Sequence, residues 1–197
     1  MHVTVKRRTD WALVVDDARL TVGKEGNARE PSIDFKRRIL VAEHSPIRNL
    51  LFEVTWHDIL YWTANQLRTH HLGFHSGEDD LVFIKTSRSD RTQQERDNLP
   101  QNAPVNMRAV INAHSLINVS RVRLCGLASP ETREAWELLI NELGIIEPIL
   151  MQLCQPNCVY RGGLCPEGPN CCGYSHTADF KDTLAGYRVF VGEHHDF

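Results

Sequence analysis

The residues best able to do chemistry begin at Gln66, where the chain reads Gln-Leu-Arg-Thr-His-His-Leu-Gly, continues through Ser-Arg-Ser-Asp-Arg at 87–91, and closes on Arg-Asp-Asn-Leu-Pro at 96–100. Guanidinium forks make parallel charge-assisted bonds to oxyanions, and imidazoles and hydroxyls add single ones, so this stretch can form an anion site. From residue types alone, the same groups also fit a solvated helix end with cations against its C-terminal dipole. They fit equally a surface on which Asp90, Arg91, Glu95, Arg96 and Asp97 pair among themselves. A second concentration lies downstream: five of the six cysteines fall between Cys154 and Cys172, as C-x3-C-x6-C-x5-C-C in a segment rich in Gly and Pro. The sixth, Cys125, is two residues beyond Arg123.

The elements that must position these groups follow from periodicity. Trp56, Leu60, Ala64 and Leu67 recur at i, i+4, i+8 and i+11, an apolar helical stripe, while Gln66, Thr69 and His70 share another face. Thr55 and Asp58 read as the capping box of that helix. Upstream, residues 1–55 read mainly as strands: Val3 and Val5 alternate, residues 12–15 and 20–22 flank Asp16-Asp17 as a hairpin, and 49–55 forms a strand feeding the helix. Residues 23–32 and 73–80 read as loops, and 81–84 as a short buried strand.

Further on, 105–121 reads as a second helix, with Val110, Ala113, Ile117 and Ser120 packing and His114, Asn118 and Arg121 on another face. Ser129-Pro130-Glu131 opens a third with an N-cap, a proline at the first position and an acid in the first turn. Its buried residues are Trp136, Leu139, Ile140 and Leu143. Gly144 and Pro148 mark a break before a short helix ending near Cys154, and 187–191 reads as a closing strand. The fold class is α+β, an antiparallel or mixed sheet packed with helices.

Composition narrows the function classes. A chain of 197 residues holds one domain with a full core, and 24 % charged with 42 % apolar residues is ordinary for a globular protein. The net charge of −3 argues against a general nucleic-acid-binding surface, so the arginines make a local site. No apolar run approaches a membrane span and the polar N-terminus does not read as a signal peptide, which places the chain in the cytoplasm with reduced cysteines.

The motifs, taken in order, resemble the flavin-dependent thymidylate synthases. Those proteins carry Q-x-x-R-H-R at a helix end, then S-x-R, R-x-x-L-P and N-A-R-S-L-x-N with an arginine shortly after. Here the counterparts are Gln66 with Thr69-His70-His71, Ser89-Asp90-Arg91, Arg96 through Pro100, Asn112-Ala113-His114-Ser115-Leu116-Ile117-Asn118, and Arg123. Glu43-His44-Ser45-Pro46-Ile47-Arg48-Asn49 is similar to the family's E-T-P-F-E-H. The sequence departs from the pattern at Thr69, His71, Arg48 and His114, and the segment before R-x-x-L-P is nearly absent, as in a compact, divergent member.

The resemblance covers about residues 40–140. It implies an enzyme converting dUMP to dTMP, with reduced FAD, and with methylene-tetrahydrofolate and NADPH as co-substrates, in a homotetramer. It implies Gln66, Ser89, Arg91, Arg96 and Arg123 as dUMP ligands, with Ser89, Arg91 and Arg96 on the phosphate. Arg123 is the catalytic residue, activating the pyrimidine by stabilising charge on its carbonyl oxygens. FAD would meet Ser45, Arg48, Thr69, His70, His71, Asn112, His114 and Asn118.

The cysteine-rich end is outside the resemblance. Residues 1–153 form the synthase-like domain and 154–197 an extension packed on it. Clustered cysteines in a reducing compartment read first as a structural zinc site, with Cys125 as the long-range ligand beside Cys158, Cys165 and Cys172. Free buried thiols, disulfides and an iron–sulfur centre compete with that reading. His176, His194 and His195 could supplement the ligands. Two other functions stay open: the same scaffold modifying another pyrimidine nucleotide, and a non-catalytic, zinc-stabilised nucleotide-binding module.

Overall fold

The computed structural model describes residues 1–24, 29–70, 82–84 and 98–192. Strands β1 (His2–Arg7), β2 (Leu51–Leu60), β3 (Val82–Ile84) and β4 (Pro104–Asn112) form an antiparallel sheet in the order β1-β2-β4-β3. The α+β class stands. Alternation along the strands puts Val3, Phe52, Val54, Trp56, Met107, Ala109 and Ile111 on one buried face. The opposite face is polar around Glu53, Thr55 and Arg108, and at the β3 edge Phe83 is 60 % exposed.

The helices are α1 (Trp11–Leu20), α2 (Ile33–Val41), α3 (Tyr61–Arg68), α4 (Ala113–Arg123), α5 (Pro130–Ile146), α6 (Pro148–Leu153), α7 (Asn157–Tyr160) and α8 (Ala178–Gly192). Helix α5 buries Thr132, Ala135, Trp136, Leu139, Ile140 and Leu143, as its sequence pattern requires. It is tied to the sheet by the Trp56 indole, which donates to the Ala135 carbonyl at 3.0 Å, and to α4 by the Trp136 indole, which donates to Ser120 Oγ at 2.8 Å. Buried indoles need such partners, so these bonds fix how the layers sit.

Several expectations fail, and residues 1–55, read mainly as strands, carry α1, α2 and a 3-10 turn at Ser45–Asn49 besides β1 and the start of β2. The chain 12–22 is mostly helix α1 and not a hairpin, with Trp11 and Val14 buried at i and i+3. Trp56 belongs to β2 and not to a helix: β2 and β4 shift register between Trp56 and Ile59, and Asp58 takes φ +55° there. The bulge moves the next inward residue from 58 to 59, and the helix that follows is entered through Leu60 with no side-chain cap. Residues 105–112 are likewise strand β4, so the second helix starts at Ala113. Residues 187–191 lie within α8 and form no strand. The strand expected as buried over 81–84 stands at Val82–Ile84 on the sheet edge with Phe83 exposed, and residue 81 lies outside the described residues.

Candidate functional site

The site is built on the junction between β4 and α4. Asn112, an awkward residue inside a helix, is instead the N-cap of α4: its Oδ1 accepts from Ser115 N at 2.7 Å, an arrangement that stabilises a helix by about 1 kcal/mol. The cap fixes the rotation of α4, and two groups of side chains emerge from it.

The first group is His114, Asn118 and Arg121, one turn apart. Arg121 Nη1 donates to Asn118 Oδ1 at 2.7 Å, Arg121 Nη2 pairs with Glu43, and His114 Nε2 lies 3.4 Å from the same carboxylate. The guanidinium stacks 3.6 Å from the Tyr160 ring centroid. Glu43, at φ +46°, lies beside the turn Ser45–Asn49, where Ser45 and Arg48 are exposed. Burial lowers the His114 pKa; Glu43 opposes the shift, and Arg48 and Arg121 add to it. Arg121 Nε is buried and has no acceptor among the described residues. Ser45, Arg48, His114 and Asn118 are the polar groups on this side of α4 and its neighbouring turn that could hold a cofactor. Asn112 is buried, with its carboxamide oxygen spent on the α4 cap. Thr69 donates its hydroxyl to the Gln66 carbonyl at 2.7 Å and closes the end of α3.

The second group surrounds Arg123, at the last turn of α4. Its Nε donates to His70 Nε2 at 2.5 Å and its Nη2 to the Gln66 carbonyl at 3.1 Å. Among the described residues two of its five donors are used, which orients the guanidinium. Desolvation lowers the pKa of Arg123, yet a guanidinium starts so high that it stays a cation. Burial, then the charge of Arg123, lowers His70 to about 4, so its ring is neutral near pH 7. Gln66 is held in turn: Thr132 Oγ1 donates to its Oε1 at 2.8 Å, and Ser129 Oγ donates to Thr132 Oγ1 at 2.7 Å. With Oε1 occupied, the Gln66 amide nitrogen is the end left to meet a ligand.

The structure thus brings Gln66, His70 and Arg123 together, and sets His114 and Asn118 with Glu43 on the neighbouring face of α4. His71, Ser89, Arg91 and Arg96 lie outside the described residues, as do His194 and His195. Sequence reasoning missed Glu43, Ser129 and Thr132 as positioning groups. Glu43 stood in the Glu43–Asn49 motif, while Ser129 and Thr132 look like an ordinary helix start.

Beyond Arg123, a cavity of about 220 Å³ is lined by Arg121, Arg123 and all of Cys125, Cys158, Cys165, Cys171 and Cys172. The four cysteines expected as metal ligands therefore share one wall, with Cys171 added. Cys154 is buried apart from them, beside Ser120, and its thiol is pushed up to about 12 by desolvation. Every cysteine is a free thiol. Among the described residues no three His, Cys, Asp or Glu side chains are grouped so as to hold a metal ion, and His176 is exposed. No described helix is long and apolar enough to cross a membrane.

The four-stranded antiparallel sheet packed with helices is a fold similar to that of flavin-dependent thymidylate synthases. The chain superposes on ThyX, the flavin-dependent thymidylate synthase of Helicobacter pylori complexed with FAD and dUMP, at TM-score 0.63 and 14 % identity, over 79 % of this chain and 100 % of that one. A second structure of the same protein with FAD and dUMP gives TM-score 0.63 and 14 % identity, over 78 % and 99 %. The UMP/dUMP methylase PolB of Streptomyces cacaoi, bound with 5-Br dUMP, gives TM-score 0.57 and 12 % identity, over 77 % and 94 %. No family model and no curated protein matches the sequence.

Proposed function

We propose that this chain is a pyrimidine-nucleotide methylase of the flavin-dependent thymidylate synthase type, converting dUMP to dTMP. The observation that supports it most is Arg123, held from two sides by His70 and the Gln66 carbonyl. In the order of the motifs it is the counterpart of the arginine to which the resemblance gives pyrimidine activation. A fold shared over the full length of a dUMP-bound enzyme supports the same reading.

In this reading Arg123 donates to a carbonyl oxygen of the pyrimidine. Negative charge gathers there as the ring carbon becomes nucleophilic, and a pre-oriented guanidinium needs no reorganisation to meet it. The Gln66 amide donates to a second acceptor of the nucleotide, while neutral His70 keeps Arg123 aimed. Ser89, Arg91 and Arg96 take the phosphate. Ser45, Arg48, His114 and Asn118 hold FAD, which when reduced supplies the hydride. Methylene-tetrahydrofolate supplies the carbon and NADPH the electrons, in a cytoplasmic homotetramer.

The experiment is incubation of the purified protein with dUMP, FAD, NADPH and methylene-tetrahydrofolate, with UMP as a parallel substrate. Formation of dTMP that depends on FAD is the expected result. Methylation of UMP alone would move the assignment to another pyrimidine nucleotide. No product, with no change in flavin absorbance on adding dUMP, overturns it.

A further inference from the structure

Arg121 is a cation that water barely reaches: its side chain is 14 % exposed, so the protein itself must meet its charge. Three parts of the chain do so. Asn118, three residues back on α4, accepts from Nη1 at 2.7 Å, Glu43 takes Nη2, and the ring of Tyr160, the last residue of α7, lies with its centroid 3.6 Å from the guanidinium carbon.

Glu43 stands where a side chain is unfavourable. It follows the C-cap of α2 at φ +46°, and its N–H and that of His44 return to the carbonyls of Leu40 and Ile39, a helix ending that favours glycine. What the position gains is the carboxylate, which bonds Arg121 and lies 3.4 Å from His114 Nε2. Tyr160 completes the group from the C-terminal segment. An arginine held only by bonds in its plane still offers its face to water, which competes for its partners; an aromatic ring over that face excludes the water and favours the cation. Burial pushes the phenol of Tyr187 on α8 up, so this neighbour adds no charge to the group.

We infer that Tyr160 is a positioning residue of the α4 shelf: by clamping Arg121 it fixes Glu43 and Asn118, and through them His114, so that the C-terminal segment shapes a site carried by the rest of the chain. For its effect on FAD the inference rests on the flavin reading of this shelf; the clamp itself does not. Without the ring, water reaches the guanidinium and Arg121 loosens from Glu43, whose charge then falls more fully on His114. Glu43 raises the His114 pKa while Arg48 and Arg121 lower it, so loosening Arg121 moves it up.

The test compares Tyr160→Leu and Tyr160→Phe with the wild-type full chain. His114 is titrated by proton nuclear magnetic resonance in the flavin-free protein, its signal assigned with His114→Gln, and FAD binding is followed by the visible absorbance of the flavin. Tyr160→Leu should move the His114 titration to higher pH and weaken FAD binding severalfold. Tyr160→Phe keeps the ring and loses only the hydroxyl, so it should match wild type in both. Tyr160 is 43 % exposed, so both variants should fold, with circular dichroism unchanged. A His114 titration that Tyr160→Leu leaves in place overturns the clamp, and a shift that persists in Tyr160→Phe overturns the ring as its cause. A moved titration with unchanged FAD affinity overturns the effect on the cofactor. A wild-type chain that takes up no FAD removes the flavin reading, and the His114 titration still decides the clamp.

Discussion

Arg123 Nε donates to His70 Nε2 at 2.5 Å, and because a guanidinium can only donate, the imidazole must accept and carry its own proton on Nδ1. His70 is therefore neutral when folded, with a pKa near 4 against 6.5 in the unfolded chain. The unfolded state binds more protons across that interval. Stability should be intact above about pH 6.5, fall as the pH drops toward 4, and level off below. Urea midpoints measured across that range should show the slope, and His70→Gln should flatten it; an unchanged slope would count against the Arg123–His70 bond. The ring is half-buried, so solvent screening keeps the effect small.

Arg123→Ala should reduce dUMP turnover by a factor on the order of 10²–10³, the usual cost of removing a charge-stabilising donor, with circular dichroism unchanged. Arg123→Lys should recover little. An ammonium on a flexible stem cannot bond His70 and the Gln66 carbonyl while presenting further donors in a plane. Wild-type turnover in either variant would sink the activator role.

Thr132 is fully buried and donates to Gln66 Oε1 at 2.8 Å. Thr132→Val preserves the shape and removes the donor, at a cost of about 1 kcal/mol in stability. Gln66 Oε1 then keeps only the 3.2 Å contact from Ser129 Oγ and is held less firmly, so KM for the nucleotide should rise severalfold while kcat changes little. Adding Gln66→Ala to that variant should give no more than Gln66→Ala alone, since both act through one amide. Strictly additive effects would show that Thr132 acts elsewhere.

Far from the site, buried Glu147 accepts from Arg7 Nη1 at 2.6 Å and from the Trp11 indole at 3.1 Å, joining β1 and α1 to the start of α6. Arg7→Met leaves that carboxylate without its cation, and breaking a buried pair in this way costs about 3–5 kcal/mol. Urea denaturation should show a loss approaching that range, at its lower end because Arg7 is one-third exposed. Glu147→Gln in the Arg7→Met background should recover part of it.

How legible the molecule was varies by element. Helix α5 was readable because every cue agreed: Pro130 at the first turn, Glu131 beside it, and one face of Trp136, Leu139, Ile140 and Leu143. The β2–α3 unit was misread because Trp56 and Leu60, four apart in β2, fall in step with Ala64 and Leu67 of α3, which a one-dimensional pattern cannot tell from a single helix. Asn112 looked like a helix-interior residue because the cap position depends on where β4 ends.

The sequence by itself determined the α+β class, the buried stripe of α5, the shared face of His114, Asn118 and Arg121, and the chemistry available to Gln66, Arg123 and the cysteines. These follow from residue type and local spacing, which short-range physics reads directly. Only the tertiary structure decided that Arg123 bonds His70 across 53 positions, that Thr132 holds Gln66 across 66, and that Cys125 meets the cysteines of the C-terminal segment. Such contacts depend on how helices pack over the sheet, and packing is set by the whole core at once.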